Sequence, residues 1–365
     1  MSAVTAGQAP LTDGAAPSAS GIVRRHRVDC EDPFVTAAEP AVAQRIAALG
    51  ELGAAYVRDQ AAAAGRRRRP HRGLDLANPA TAALVAENPA TGDWLALAPS
   101  ALALEPLYNP ELVALPGGRP VDPGFREMCR NALDARGIRS RGHVWTRLLV
   151  DQAKATPERH QYWLSLASGT AGPVLAAVQA VRALGLPAPH VTLADIDREA
   201  LAGARRRAAE LGLKVEAGLS GWADSGTVTT VRLNLLGARG FAHLGQFDAV
   251  DAVGLLEYLR PADWRYTYRG LIRTRLRMAG AIEFLRRAGA ALAPGGRLVT
   301  SNMLADRPQL DFALHVVQWP HIKPRSVEQV SGLLEAAGLA WPVDVYLPAD
   351  GVYAIYTLRR PAVTP

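Results

Sequence analysis

A glycine-containing turn, an acidic residue at the end of an apolar run and a carboxylate beside a tyrosine are the parts of this sequence best suited to chemistry. The turn reads Ser168-Gly169-Thr170-Ala171-Gly172-Pro173. Its small residues let the backbone pass close to a ligand, and Pro173 suits the first turn of a helix whose free N–H groups would face that ligand. Asp195 closes the run Val191-Thr192-Leu193-Ala194, 26 residues beyond Gly169. A carboxylate there can accept hydrogen bonds from both hydroxyls of a ribose, whereas Asp197 is better placed to cap the helix that follows. Asn234, followed by Leu235, ends the run Val231-Arg232-Leu233, and residues 247–253 open into Gly254-Leu255-Leu256-Glu257-Tyr258. Glu257, His315 and His321 are candidate bases, and Tyr258, Tyr266 or Tyr268 could face a cation. Each has a plainer reading: Glu257 as a carboxylate favouring a helix start, the tyrosines as packing, the histidines as structural. His315 and His321 lie six apart with no carboxylates at ligand spacing, so no metal site is expected.

The elements that must position these residues follow from hydrophobic period. Strand-like runs occupy residues 161–167, 190–196, 227–233, 247–253 and 296–301, with helical patterns at 173–184, 198–211 and a long one at 262–292. That long helix would carry Ile272, Leu276, Ala279, Ile282 and Leu285 on one side. Alternating strand and helix, with strands apolar on both faces, predicts an α/β fold: an open, doubly wound, mostly parallel Rossmann-like sheet. A helix at 326–337 is followed by runs at 342–347 and 352–358 joined by Pro348-Ala349-Asp350-Gly351, a turn short enough for a hairpin. The last strand should therefore run antiparallel to the others. Upstream, residues 1–20 are small and polar and are expected to be disordered. Residues 21–159 read as a mainly helical extension, whose helices over 123–155 could close as a lid over the site.

Taken in order, these pieces resemble class I S-adenosylmethionine (SAM)-dependent methyltransferases over residues 160–361. The resemblance implies SAM as cofactor and seven strands, with the C-terminal antiparallel hairpin among them. It puts Ser168, Gly169 and Gly172 beside the methionine part, Asp195 on the ribose and Asn234 with Leu235 by the adenine. The loop from Gly254 to Tyr258 would line the sulfonium and the substrate, leaving Glu257, Tyr258 and His315 as catalytic candidates. Ala293-Pro294-Gly295-Gly296-Arg297-Leu298 is also usual in that family. Two features depart from it: Ser165 stands where an acidic residue is common, and the glycine core is thinned to Ala167-Ser168-Gly169-Thr170-Ala171-Gly172. The 254–259 and 319–326 stretches look similar to a bacterial branch whose substrates the likeness does not supply. A dehydrogenase would want a fuller Gly-x-Gly-x-x-Gly turn, and a base-modifying amino-methyltransferase an Asp/Asn-Pro-Pro-aromatic loop in place of Gly254-Leu255-Leu256-Glu257.

Composition bounds what remains. The 365 residues, 49% hydrophobic, can bury a full core. No apolar run reaches the roughly 18 residues a membrane span needs, and Met1 to Ser20 lacks the pattern of a signal peptide, so a cytoplasmic protein is expected. Cys30 and Cys129 are too few for a disulfide framework or a cysteine-rich zinc site. The net charge of +7 and the run Arg66 to Arg69 raise nucleic acid as a partner, but the excess is almost all arginine in a chain rich in Ala, Gly and Pro, the pattern of a GC-rich genome. The expectation is a small-molecule methyltransferase of bacterial secondary metabolism, with a homodimer as an allowed assembly. Two other readings stay open: an enzyme that cyclises or transfers the amino-carboxypropyl arm of SAM, and a SAM-binding protein without catalysis.

Overall fold

The computed structural model describes residues 14–15, 23–64, 74–218, 226–269 and 273–362. The described residues begin with β1 (Gly14–Ala15), β2 (Val23–Val28) and the helices α1 (Glu39–Ala64), α2 (Pro79–Glu87), α3 (Ala90–Leu97), α4 (Glu105–Tyr108), α5 (Pro123–Asn131) and α6 (Leu133–Lys154). Alternation then sets in as β3 (Tyr162–Leu166), α7 (Gly172–Ala183), β4 (His190–Asp195), α8 (Arg198–Glu210), β5 (Lys214–Ala217), β6 (Thr227–Arg232) and β7 (Phe247–Ala252). The remainder is β8 (Trp264–Arg269), β9 (Arg273–Met278), α9 (Ala281–Ala290), β10 (Leu292–Met303), α10 (Val327–Ala336), β11 (Val343–Pro348) and β12 (Tyr353–Arg359). The expected tail lies outside the described residues except for Gly14–Ala15, and the Arg66 to Arg69 run lies outside them altogether.

The result is a mixed α/β fold around one large, mostly parallel sheet, ordered β1-β2-β11-β12-β10-β7-β3-β4-β6-β5. As expected, β12 runs antiparallel to both β10 and β11. The seven-strand run β11-β12-β10-β7-β3-β4-β6 lies within this sheet, which among the described residues is extended at both ends to ten. On one side β2 joins parallel to β11 and β1 pairs with β2; on the other β5 joins parallel to β6. Neither addition carries a strong period-two apolar signal. β2 reads Val-Arg-Arg-His-Arg-Val, and its arginines are tolerated because its outer side pairs only with two-residue β1.

A correction concerns residues 262–292. Among the described residues of that stretch only Ala281–Ala290 is α-helical; β8 and β9 form an antiparallel hairpin of their own, with Trp264 opposite Met278. Residues 264–269 alternate aromatic and polar types, which suits a strand, and the apolar spacing that suggested one long helix is unbroken only beyond Gly280. Elsewhere the helix signals are met. Asp197 caps α8 by accepting from the N–H groups of Glu199 and Ala200, and Ser326 with Gln329 forms a capping box on α10.

Successive strand residues face opposite sides of the sheet, so two cores form. Trp163, Leu193, Ala249 and Val299 face α6 to α8 and the N-terminal helices; Leu164, Ala194, Val250 and Leu298 face α9 and α10. α6 packs along α7 and buries Ile138, Val144, Trp145, Leu148 and Leu149. It is thus part of the layer covering the sheet. No helix among the described residues is long and apolar enough to cross a membrane.

Candidate active site

Chain connections from β3 lead to β4 on one side, while β7 flanks β3 on the other. The crevice beyond the C-terminal ends of these strands is the topological switch point, where open α/β sheets bind ligands. The turn after β3 enters it. Ala167, Gly169 and Ala171 have φ of 52°, 54° and 59°, so the backbone curls tightly before α7, whose first turn contains Pro173. The Gly169 N–H donates to Asp195 Oδ2 at 2.8 Å, and the Asp197 N–H donates to Asp195 Oδ1 at 2.8 Å. Each carboxylate oxygen keeps a further lone pair for a ligand hydroxyl. Burial pushes the Asp195 carboxyl above the ordinary carboxylate range, against the pull of these N–H groups. Ser168 is buried and its Oγ has no hydrogen-bond partner, an unmet polar group at the turn. Leu235 is buried just beyond β6, whereas Asn234 is exposed and its Oδ1 accepts from the Leu236 N–H.

Beyond β7 lies a narrow cavity of about 60 Å³, bordered by Gly254, Glu257 and Tyr258 and walled by side chains including Trp94, Phe312 and Trp319. Glu257 is buried on the 3-10 turn Leu256–Tyr258 and pairs with Arg141 of α6: Nη1 lies 3.3 Å from Oε1. Burial raises the Glu257 pKa while Arg141 pulls the other way. The Arg141 guanidinium lies 4.4 Å from the Tyr353 ring centroid, and its Nη2 donates to Tyr108 Oη at 3.4 Å. Gly254, at φ 92°, leaves room for it: a Cβ there would stand 3.4 Å from Arg141 Nη1. Tyr258 Oη accepts from Trp319 Nε1 at 2.6 Å, and burial raises the tyrosine pKa.

The turn bearing Glu257 is braced by the stretch at 319–326. Arg325 donates from Nη1 to the Leu256 carbonyl and from Nη2 to that of Leu259, while the Lys323 N–H donates to the Glu257 carbonyl. The two stretches singled out in the sequence are therefore in contact. His315 is not among the residues bordering the cavity; its Nε2 lies 3.5 Å from Asp311. His321 is exposed, and Tyr266 and Tyr268 lie on β8.

Three parts of the site were not foreseen from the sequence. Arg141 interrupts the apolar stripe of α6 between Ile138 and Trp145, the one signal that could have marked it. Asp251, opposite Ser165 in the sheet, accepts the Ser165 hydroxyl at 2.7 Å, so a carboxylate stands on the strand beside Ser165. Its burial pushes its pKa up to about 8. Third, residues 100–105 overlie the glycine turn. Ser100 Oγ donates to Asp197 at 2.9 Å, Thr170 donates to Glu105, and Arg207 bridges Glu105 at 2.7 Å. No group of three or more His, Cys, Asp and Glu suited to a metal ion occurs among the described residues.

No protein-family model and no curated protein matches the chain. It is similar in structure to a possible exported protein from Bordetella parapertussis, at 19% identity and TM-score 0.54, covering 88% of this chain and 97% of that one. This is a likeness of fold, and at that coverage it reaches well into the residues before β3. Looser likenesses include an O-methyltransferase family protein from Burkholderia thailandensis, at 20% identity and TM-score 0.41 over 64% of this chain and 61% of that one. Another is magnesium protoporphyrin IX methyltransferase from Synechocystis PCC 6803, at 13% identity and TM-score 0.39 over 63% and 84%.

Proposed function

We propose that this chain is a SAM-dependent methyltransferase acting on a small molecule, within bacterial secondary metabolism and in the cytoplasm. The observation that carries the reading is the switch-point crevice itself. It brings the unmet Ser168 hydroxyl, the curled Gly169 backbone and the Asp195 carboxylate to one place, with an apolar cavity bordered by Gly254 beside it. On this reading Ser168, Gly169 and Gly172 hold the methionine part, Asp195 the ribose, and Asn234 with Leu235 the adenine, while Gly254 borders the sulfonium. SAM would supply a methyl group on a positively charged sulfur, ready for in-line displacement. The protein's contribution is then alignment and exclusion of water, with a base needed only where the acceptor must lose a proton. Glu257 suits that role: it is buried and stands beside the cavity, and its raised pKa brings it closer to the pH at which a base works best. Tyr258, anchored by Trp319, contributes wall. His315 would act there only after rearrangement of its segment.

The test is mass spectrometry of small molecules released from the purified protein, with calorimetric titration of SAM and S-adenosylhomocysteine. Binding of both, with SAM stable on incubation, is the expected result. Conversion of SAM to methylthioadenosine without an acceptor would show attack within the amino-carboxypropyl arm instead. Failure to bind either ligand would remove the reading.

A further inference from the structure

A second cavity, of about 420 Å³, lies between residues 29–34, α6, the start of α7 and the turn joining β11 to β12. That is the size of a small-molecule site. It shares no bordering residue with the cavity beside Glu257, and it reaches the glycine turn at Gly172 and Pro173. Its charged border sets Asp29, Glu31, Asp32 and Asp350 against Arg136, Arg139 and Arg207. The cations are all engaged. Arg139 donates to both oxygens of Asp32 and to the carbonyls of Leu107, Cys129 and Arg130. Arg136 pairs with Glu39 at 2.8 Å, and Arg207 with Glu105 at 2.7 Å. Three of the carboxylates have no such balance. Among the described residues Asp29 and Glu31 form no ion pair, and Asp350 accepts only from neutral groups, the Ser140 hydroxyl at 2.6 Å and the Val352 N–H at 2.9 Å. Their field reaches the Cys30 thiol on the same border: burial pushes its pKa up to about 11, and Asp350 and Asp29 add to the rise.

We infer that this cavity is a binding site for a small organic cation, an ammonium group on a short apolar body, separate from the cavity beside Glu257. The inference goes beyond the methyltransferase reading and stands whether or not the chain binds SAM. Carboxylates spread over an open surface are screened by salt, but a concave wall carrying an excess of one sign focuses its field on what enters. An ammonium here joins a border where three carboxylates lack a cation, and it displaces no existing ion pair. An anion would meet the same carboxylates with no free guanidinium to hold it, because Arg136, Arg139 and Arg207 are already paired. A neutral molecule gains nothing from the field. Pro33, Phe34, Tyr108 and Pro173 give the body of the ligand an apolar wall.

The probe series is 2-phenylethylamine, 2-phenylethanol and 3-phenylpropanoate, titrated calorimetrically into the full chain at pH 8, where an alkylammonium keeps its proton. Closely similar skeletons thus carry a cation, a neutral hydroxyl or an anion. The amine should bind about tenfold or more tightly than the alcohol, and the carboxylate more weakly than either. Equal or tighter binding of the alcohol or the carboxylate, or no binding of the amine, overturns the inference. Two variants locate the site. Asp29→Asn with Glu31→Gln alters exposed side chains that no ion pair holds, so the fold should stand while the amine's affinity falls about threefold or more. Asp350→Asn removes the third charge and should act in the same direction; if it fails to fold, the first variant decides. Unchanged amine affinity in the first variant places the amine elsewhere and overturns the inference. The titration is then repeated on protein saturated with S-adenosylhomocysteine. Retained amine binding is expected, and its loss would overturn the inference by making the cavity part of the cofactor site. Selective amine binding by a protein that takes up neither SAM nor S-adenosylhomocysteine would support this inference and remove the methyltransferase reading alone.

Discussion

Gly169 is the residue on which the site depends most locally. Its φ of 54° disfavours any side chain, and a Cβ there would stand 2.7 Å from the Cβ of Ala101. Gly169→Ala therefore strains the turn, at about 1–2 kcal/mol for the left-handed backbone, and also lifts the segment that overlies it. Gly185 has φ 71° with nothing near its Cβ position, so Gly185→Ala is a control for backbone strain alone. Gly169→Ala should weaken S-adenosylhomocysteine binding tenfold or more by calorimetry, and Gly185→Ala should leave it within about twofold. Asp251 makes a different contribution. With its pKa raised from 3.8 to about 8, it holds its proton in the folded protein while the unfolded chain has released it. Between those values the folded state binds more protons at this site, so the contribution of Asp251 to stability is fully present below pH 4 and is lost as pH rises towards 8. The slope is up to about 1.4 kcal/mol per pH unit. Asp251→Asn should flatten that slope in urea unfolding measured from pH 5 to 8; an unchanged slope would assign the proton elsewhere.

Most of the strand–helix alternation from β3 onward was legible because its core strands are apolar on both faces and its helices keep a regular apolar period. Asp197 marked a helix start correctly because a cap is a local hydrogen bond written in a few neighbouring residues. β2, β5 and the β8–β9 hairpin were not legible, since a short strand is stabilised by a partner distant in sequence. The same limit hid residues 100–105, whose role lies in contacts with Thr170, Asp197 and Arg207. These contacts place Ala101 against the glycine turn, and the same stretch continues into Leu104 and Leu107 of the cavity wall. A single segment thus borders both halves of the site. Glu105→Gln weakens its attachment to Arg207 and Thr170. Amide hydrogen exchange over residues 98–108 should then speed up severalfold, with the protection of β3 and β4 unchanged. Equal exchange in both proteins would mean that the segment is held by its apolar contacts alone.

At the scale of the whole chain, the residues before β3 are structural as much as functional. A sequence reading naturally separates a helical extension from an α/β domain, because the extension lacks the alternating pattern. The structure joins them. β2 pairs along β11 from Val343 to Pro348, Ile138 and Trp145 of α6 belong to the same core as Trp163 and Val178, and Arg141 of that helix pairs with Glu257. Removing everything before residue 156 would expose the apolar face made by Trp163, Val191 and Val299 and unpair the edge of β11. An open strand edge beside a bare apolar face is a template for aggregation. Expression of residues 156–365 alone should accordingly yield aggregated protein without a cooperative thermal transition, whereas removal of residues 1–22 should leave both the transition and S-adenosylhomocysteine binding in place. A soluble, cooperatively folded 156–365 fragment that still bound the ligand would show that the N-terminal helices only cover the site; an insoluble one would establish that the sheet requires them as its second layer.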